Sequence, residues 1–332
     1  MKESKMTDVA QLAKVSVATV SRVLNGGSLV GAETREKVLS AVRQLNYTPN
    51  AMGKQLRSRK AMTLAVVISD IRVFYYAEII QGIENMANSL GYKILICDAQ
   101  NQLKKEQEFL SLLVNHTVDG LILITPKMSD KEIAAVADNG YSIGLIGRNI
   151  DHPKLPCSYT DNAKFGQQVI QHLVERGHRR IAFISGYADA TDSFGRLEGY
   201  MKGLRDARLP FVPELIENGD FNEDQGYEAF MRLRARNEDF TAVFAANDEM
   251  ALGVYKACAE LELAIPEQMA VVGVDNVRLT NYVKPPITSV QQPLYTMGAL
   301  LTEKLIDQMN DNVWADKRQL KVDSSLVIKG SS

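Results

Sequence analysis

Apolar positions recur every three to four residues in three short stretches near the start of the chain. Beyond residue 60 they arrive as brief continuous runs separated by helical patterns. In residues 6–27, MTDVAQLAKVSVATVSRVLNGG, Val9, Leu12 and Ala13 form one stripe, and Val20, Val23 and Leu24 form a second. A tight turn at Ala13-Lys14-Val15-Ser16 separates them. Ser16 stands where the second helix needs an N-cap, and Asn25-Gly26-Gly27 closes that helix with residues that tolerate positive φ. A third helix is predicted where Val38, Ala41, Val42 and Leu45 line up, ending before Pro49 because the residue preceding a proline disfavours the α region. Three short helices around one small core follow.

The longer remainder reads differently. Strand-like runs cover residues 64–68, 94–96, 120–124 and 143–146, then 181–184, 242–245 and 271–274. Near-continuous apolar strands alternating with helices imply parallel sheets buried on both faces. The runs fall into two groups, divided around Arg148 to Thr160, where Pro153 and Pro156 interrupt the pattern. The expected fold class is α/β, with an all-α helix-turn-helix head followed by two doubly wound parallel-sheet subdomains.

Charge changes the reading of the head. Residues 1–60 carry 11 Lys/Arg against 4 Asp/Glu, whereas the whole chain is −2, so the rest is strongly acidic. A basic head on an acidic body suggests a localised polyanion-binding module. The face opposite the stripe of the second helix holds Val17, Ala18, Ser21 and Arg22. Small side chains there let a backbone approach a groove, and hydroxyls and arginine can bond phosphates and base edges. A plain αα-hairpin remains the competing interpretation of the helix pair alone. Residues 51–60, AMGKQLRSRK, are basic and nearly core-free: a solvated linker, or one that becomes helical on DNA.

In open α/β sheets, ligands bind outside the carboxyl ends of the strands. Those positions hold Asp70, Phe74, Tyr75 and Tyr76, then Thr125 to Lys127 and Gly147 to Asn149. In the second group they hold Asp192, Ser193, Arg196, Asn247, Asp248, Asp275 and Asn276. Aromatic faces with Arg, Asn and Asp suit a polyhydroxyl ligand. Asp275 and Asn276 could instead cap a turn, and Arg196 could belong to an ordinary helix start.

Catalytic signatures are missing: there is no G-x-S-x-G, Walker A or H-E-x-x-H. Four histidines are scattered, and Cys97, Cys157 and Cys258 lack metal spacing, so neither metal nor cofactor is expected. Three cysteines form no disulfide framework, and no signal peptide or membrane span is read, which together predict a cytoplasmic protein that is not an enzyme.

The run TDVAQLAKVSVATVSRVLN, the VGAETREKV and LNYTPNA stretches and Leu56 resemble the head and hinge of the LacI/GalR family of bacterial transcriptional regulators. The resemblance extends through essentially the whole chain. It implies a type I periplasmic-binding-protein body in which the chain crosses between subdomains three times, near 149–161, 287–291 and 316–322. It implies a head at 1–48, a hinge at 49–61 and a core at 62–332. Within the core, one subdomain takes about 62–150 and 291–318, the other about 160–286 and 322–332. By resemblance Val17, Ala18 and Arg22 read the major groove, Ser16, Thr19, Ser21 and Asn25 hold phosphates or the turn, and Leu56 wedges into the minor groove. Arg196, Asn247 and Asp275 are implied as the main effector contacts, with Phe74, Arg148, Asp192 and Leu294 as further ones. Two departures stand out: Lys14 where relatives often have Gly, and Lys5 where they often have a Thr cap.

The run DNVRLTNYVKPPITSVQQPLYTMG looks most similar to galactose- and β-glucoside-type repressors. The expectation is therefore a homodimeric repressor of palindromic operator DNA controlled by a sugar or glycoside bound between the subdomains. A purine-type corepressor, or a DNA-independent sugar-binding protein, are the alternatives. The chain ends without a leucine heptad, so nothing supports a tetramer through a C-terminal coiled coil.

Overall fold

The computed structural model describes residues 5–24, 30–47, 60–236, 239–310 and 318–332. Contacts divide the chain into two compact units, residues 1–61 and 62–332.

The first unit contains α1 (Met6–Leu12), α2 (Val17–Leu24) and α3 (Ala32–Gln44). Val9, Ala10, Ala13, Val20, Val23, Val38, Ala41 and Tyr47 are its buried apolar residues. Leu12, expected in the stripe of α1, is 46% exposed, and Ala10 is buried instead. At about 100° per residue, Val9, Ala10 and Ala13 share an arc whose centre lies about 100° from Leu12. Ser16 caps α2 as expected: its Oγ accepts from the Thr19 N–H at 3.1 Å. Lys14 takes a left-handed φ of 52° in the turn, a conformation that glycine adopts at less cost. Lys5 cannot cap through a hydroxyl. Its N–H instead donates to Asp8 Oδ2 at 2.8 Å, and the carboxylate sits in the first turn of α1.

The second unit holds two six-stranded sheets. The first has the order β11-β5-β4-β3-β1-β2, built from β1 (Thr63–Ile68), β2 (Lys93–Asp98), β3 (Gly120–Ile124), β4 (Ile143–Ile146), β5 (Cys157–Tyr159) and β11 (Gln319–Lys321). The second has the order β12-β10-β9-β8-β6-β7. Its strands are β6 (Ile181–Ser185), β7 (Ile216–Asn218), β8 (Ala242–Ala245), β9 (Ala270–Asp275), β10 (Thr288–Gln291) and β12 (Ser325–Val327). The two orders are the same doubly wound plan used twice, each with a switch point where the order reverses, at β1/β3 and β6/β8.

All seven expected strands are present, and β1, β3, β4, β8 and β9 are buried nearly throughout. The periodic pattern misses β5, β7, β10, β11 and β12, each only three or four residues long. It also misjudges two features. β2 is an edge strand with Leu95 40% and Ile96 42% exposed, so it is not buried on both faces. β12 pairs antiparallel to β10, so the second sheet is not wholly parallel.

The chain passes from the first sheet to the second after β5, returns after β10, and crosses again between β11 and β12. Residues 157–159 and 319–321 therefore belong with the first sheet and 288–291 with the second, a few residues beyond the expected boundaries. The pairing of these short strands at one side of each sheet sets those limits, and single-sequence periodicity does not report it. After the second crossing, helix Leu294–Met309 packs on helix Tyr75–Ser89 at backbone distance. A Cβ on Gly298 would lie 2.3 Å from the Ile79 carbonyl oxygen, so only glycine permits the contact.

Candidate functional site

In the first unit, Val17, Ala18 and Arg22 are exposed on α2, while Val20 and Val23 are buried on its other side. Ser16 Oγ and Thr19 Oγ1 lie 2.9 Å apart at the start of the helix. The arrangement is a short rigid helix presenting two small apolar side chains, hydroxyls and one guanidinium. Asn25 and Leu56 lie outside the described residues.

The second unit has a cleft of about 900 Å³, counting its open mouth. Both walls are segments that follow strand carboxyl ends next to the two switch points, as the doubly wound plan requires. Ser69, Asp70, Tyr75 and Tyr76 follow β1, Thr125 to Lys127 follow β3, and Gly147 and Arg148 follow β4. Opposite them, Tyr187 and Asp192 follow β6, Phe221 follows β7, Asn247 follows β8, and Asp275 ends β9.

Arg196, on helix Thr191–Asp206, is only 3% exposed and lies near the rings of Phe165 and Phe221 at 5.5 and 5.4 Å. Its Nε donates to Asn162 Oδ1 at 2.9 Å and its Nη1 to the Ala246 carbonyl. Asn162 Nδ2 in turn donates to Asp192 Oδ1 at 2.9 Å. Asp192 is half-buried as a residue, but its carboxyl is enclosed. Burial raises its pKa, against the opposing pull of Arg196.

Asp275 sits at the end of β9 with φ 106°, a conformation that side chains rarely adopt, and is 7% exposed. Gln292 Nε2 donates to its Oδ1 at 2.7 Å, and Thr160 Oγ1 donates to Gln292 Oε1 at 2.7 Å. Burial raises the Asp275 pKa to about 7. Arg196 and Gln292 oppose the rise, and Asp192 and Glu249 add to it. Asp248 is a different case. It is buried, accepts from Ser289 Oγ at 2.6 Å and from the Val277 N–H at 2.8 Å, and braces the β9–β10 region without lining the cleft.

Families and structures that share these features place the chain. Residues 5–50 match "Bacterial regulatory proteins, lacI family", and residues 170–332 match "Periplasmic binding protein-like domain". The chain is 34% identical to catabolite control protein A of Priestia megaterium over 96% of its own length and 94% of that protein's. It is 33% identical to the HTH-type transcriptional repressor CytR of Escherichia coli over 98% of its length and 96% of that protein's. This chain belongs to the LacI family of bacterial regulatory proteins. Its fold matches the lac repressor dimer bound to operator and the anti-inducer ONPF with a TM-score of 0.89, at 26% identity over 99% of each chain. It matches the transcriptional regulator CelR–cellobiose complex with a TM-score of 0.75, at 31% identity over 99% of this chain and all of that one. The chain is a ligand-responsive DNA-binding transcriptional repressor of the LacI family, and its relatives are regulators, not enzymes.

The structure of this LacI-family chain brings five of the seven expected effector residues into one cleft: Arg148, Asp192, Arg196, Asn247 and Asp275. Three of the five already bond the backbone, Arg196 through the Ala246 carbonyl. Arg148 Nη1 and Nη2 donate to the Met128 and Pro126 carbonyls at 2.7 and 2.8 Å, and Nη1 reaches Asp130 at 3.1 Å. Asn247 caps helix Asp248–Glu260, its Oδ1 accepting from the Met250 N–H at 2.9 Å.

Phe74 and Leu294 are placed elsewhere. Phe74 is 51% exposed at the start of helix Tyr75–Ser89, and Leu294 is 2% exposed in the core of the first sheet's layer. Neither lines the cleft: beside Phe74 the following pair Tyr75 and Tyr76 does so instead, and Leu294 packs in the core. Sequence reasoning missed Tyr187, Phe221 and Gln292. A search of the residues after each predicted strand passes over Phe221 and Gln292, because β7 and β10 were not predicted, whereas Tyr187 stands two residues after the end of β6, a strand that was predicted, and was not singled out there. His172 and His178 are tied to Ser332 and Thr241 at 2.9 and 2.8 Å, away from the cleft. The buried thiols are pushed up, Cys157 to about 11 and Cys258 to about 12, by burial. Among the described residues no helix is long and apolar enough to cross a membrane.

Proposed function

We propose that α2 reads a palindromic operator through Val17, Ala18 and Arg22 and that a sugar or glycoside in the cleft controls that binding. The observation that carries the effector reading is that Arg196, Asp192 and Asp275 line one pocket together with Tyr75, Tyr187 and Phe221. Arginine donates to ring or hydroxyl oxygens, the acids accept from hydroxyls, and the rings cover C–H faces. The cellobiose of the CelR complex is a molecule of this kind.

Ser16, Thr19, Ser21 and Asn25 hold backbone phosphates beside the reading residues, and Leu56 enters the minor groove at the centre of the site. The protein acts in the cytoplasm as a dimer. Two-fold symmetry in the protein matches two-fold symmetry in the operator, and the open edge of β2, with Leu95 and Ile96 exposed, is a surface for a second copy. Effector binding changes operator affinity by about 5- to 150-fold, the usual range of such coupling, and DNA changes effector affinity by the same factor.

Gel shifts on palindromic DNA, with hexoses, glycosides and purines each added, test this reading. A steep salt dependence and a sugar-dependent change in affinity are expected. Salt-insensitive binding equal on random DNA defeats the operator reading, and a response to purines alone replaces the sugar.

A further inference from the structure

The cleft is polarised, and its free charge is acidic. Lys127, Arg148 and Arg196 are its cations, and Asp70, Asp189, Asp192 and Asp275 are its acids. Most of these are already matched. Arg72 binds Asp70 through Nε and Nη2 at 2.9 and 2.5 Å. Lys127 Nζ lies 3.9 Å from Asp189 and over the Tyr187 ring at 5.2 Å. Arg148 is held by two carbonyls and Asp130. Arg196 is held by Asn162 and the Ala246 carbonyl, and its charge is set against those of Asp192 and Asp275.

Each of those two acids uses one oxygen on the protein. Asp192 Oδ1 accepts from Asn162, and Asp275 Oδ1 from Gln292. Among the described residues neither Oδ2 accepts a hydrogen bond. Asp192 Oδ2 faces Gly147, where a Cβ would stand 3.6 Å away.

Backbone anion sites are also taken. Glu249 Oε1 reaches from the second subdomain to accept the Phe74 N–H at 3.2 Å, at the start of helix Tyr75–Ser89. Asp192 stands in the first turn of helix Thr191–Asp206. The N-termini of these two helices therefore meet carboxylates of the protein itself, and helix Asp248–Glu260, capped by the cleft residue Asn247, carries Asp248 and Glu249 in its own first turn.

We propose that the effector is an uncharged polyhydroxyl molecule and that Asp192 and Asp275 make the cleft reject its phosphorylated or otherwise anionic forms. The proposal rests on the effector reading above and narrows it. A hydroxyl supplies the donor that each Oδ2 lacks. A phosphate supplies no donor when ionised, brings charge against two carboxylates, and finds no cation free of an acid.

Calorimetric titration of the full chain with matched pairs tests it: glucose and glucose 6-phosphate, cellobiose and its 6-phosphate, ribose and ribose 5-phosphate, with inorganic phosphate alone as the bare anion. A neutral member should bind, its phosphorylated partner at least about tenfold more weakly, with no heat from phosphate. A phosphorylated member binding as well as or better than its partner overturns the proposal while leaving a sugar effector in place. If no member of any pair binds, the sugar reading falls and this inference falls with it. Asp192→Asn should narrow the ratio between partners, with a wild-type-like thermal unfolding transition reporting that the variant is folded. An unchanged ratio in that variant, or in Asp192→Ser if the amide does not fold, removes Asp192 from the role.

Discussion

The reading face of α2 and the effector cleft are built on opposite principles. On α2 the residues proposed to read DNA are exposed, close together within a single helix, and supported by a core of eight buried apolar residues. In the cleft the recognising groups are enclosed, come from segments far apart in the chain, and are held by hydrogen bonds to one another. An exposed face can exchange side chains at little cost to folding. An enclosed polar network cannot, because each loss leaves a desolvated partner unpaired. The DNA specificity of such a chain should therefore be easier to alter than its effector specificity.

The largest effect expected is in the cleft. Asp275→Ala removes a hydroxyl acceptor and strands Gln292, so effector affinity should fall about 100-fold or more, the scale of lost charged hydrogen bonds. Calorimetry with the wild-type effector checks this, and operator affinity without effector should stay within about twofold. A wild-type isotherm would rule Asp275 out as a contact. Arg22→Ala should cost about 2 kcal/mol of discrimination between operator and random DNA, with nonspecific affinity falling less. Equal losses on both DNAs would reduce Arg22 to a phosphate contact.

Val20→Ala probes the small core under α2. Val20 is fully buried, and removing two methyl groups should destabilise the head by about 1.5 kcal/mol, read as an earlier thermal transition of the head with effector binding unchanged. The mildest effect is on pH. The Asp275 pKa is raised to about 7, and hydroxyl donors favour its ionised form, so binding expels a proton. Affinity should then rise about tenfold from pH 6 to pH 8, since only the ionised fraction accepts. Arg196, Asp192, Asp248 and Glu249 surround this carboxyl, and Asp192 and Glu249, themselves raised by burial, act in the same direction. A flat or falling profile would mean that the neutral acid is the binding form.

Legibility followed the same division. On α2, helical spacing and the Ser16 cap located the helix and its exposed side, because those signals are local. They erred only at Leu12, where a seven-residue helix leaves two arcs almost equally apolar. In the body, long buried strands such as β3 and β9 were evident from composition alone. The short strands β7 and β10 were not, and with them went Phe221 and Gln292. β4 and β8 are as short but are continuous apolar runs, whereas Glu217 and Asn218 in β7 and Thr288, Ser289 and Gln291 in β10 break the run that would have marked a strand.

By itself, then, the order of residues determined a basic three-helix head, a doubly wound body used twice, and a small set of polar groups after its strands. Those follow from local spacing and from the burial that continuous apolar runs demand. Only the tertiary structure decided which groups in that set are free. It used Arg148 and Asn247 on the backbone, Asp248 on Ser289, and turned Phe74 and Leu294 away. It left Arg196, Asp192 and Asp275 facing one space. That choice rests on hydrogen bonds between distant segments, and the balance of charge they leave is a property of the assembled cleft.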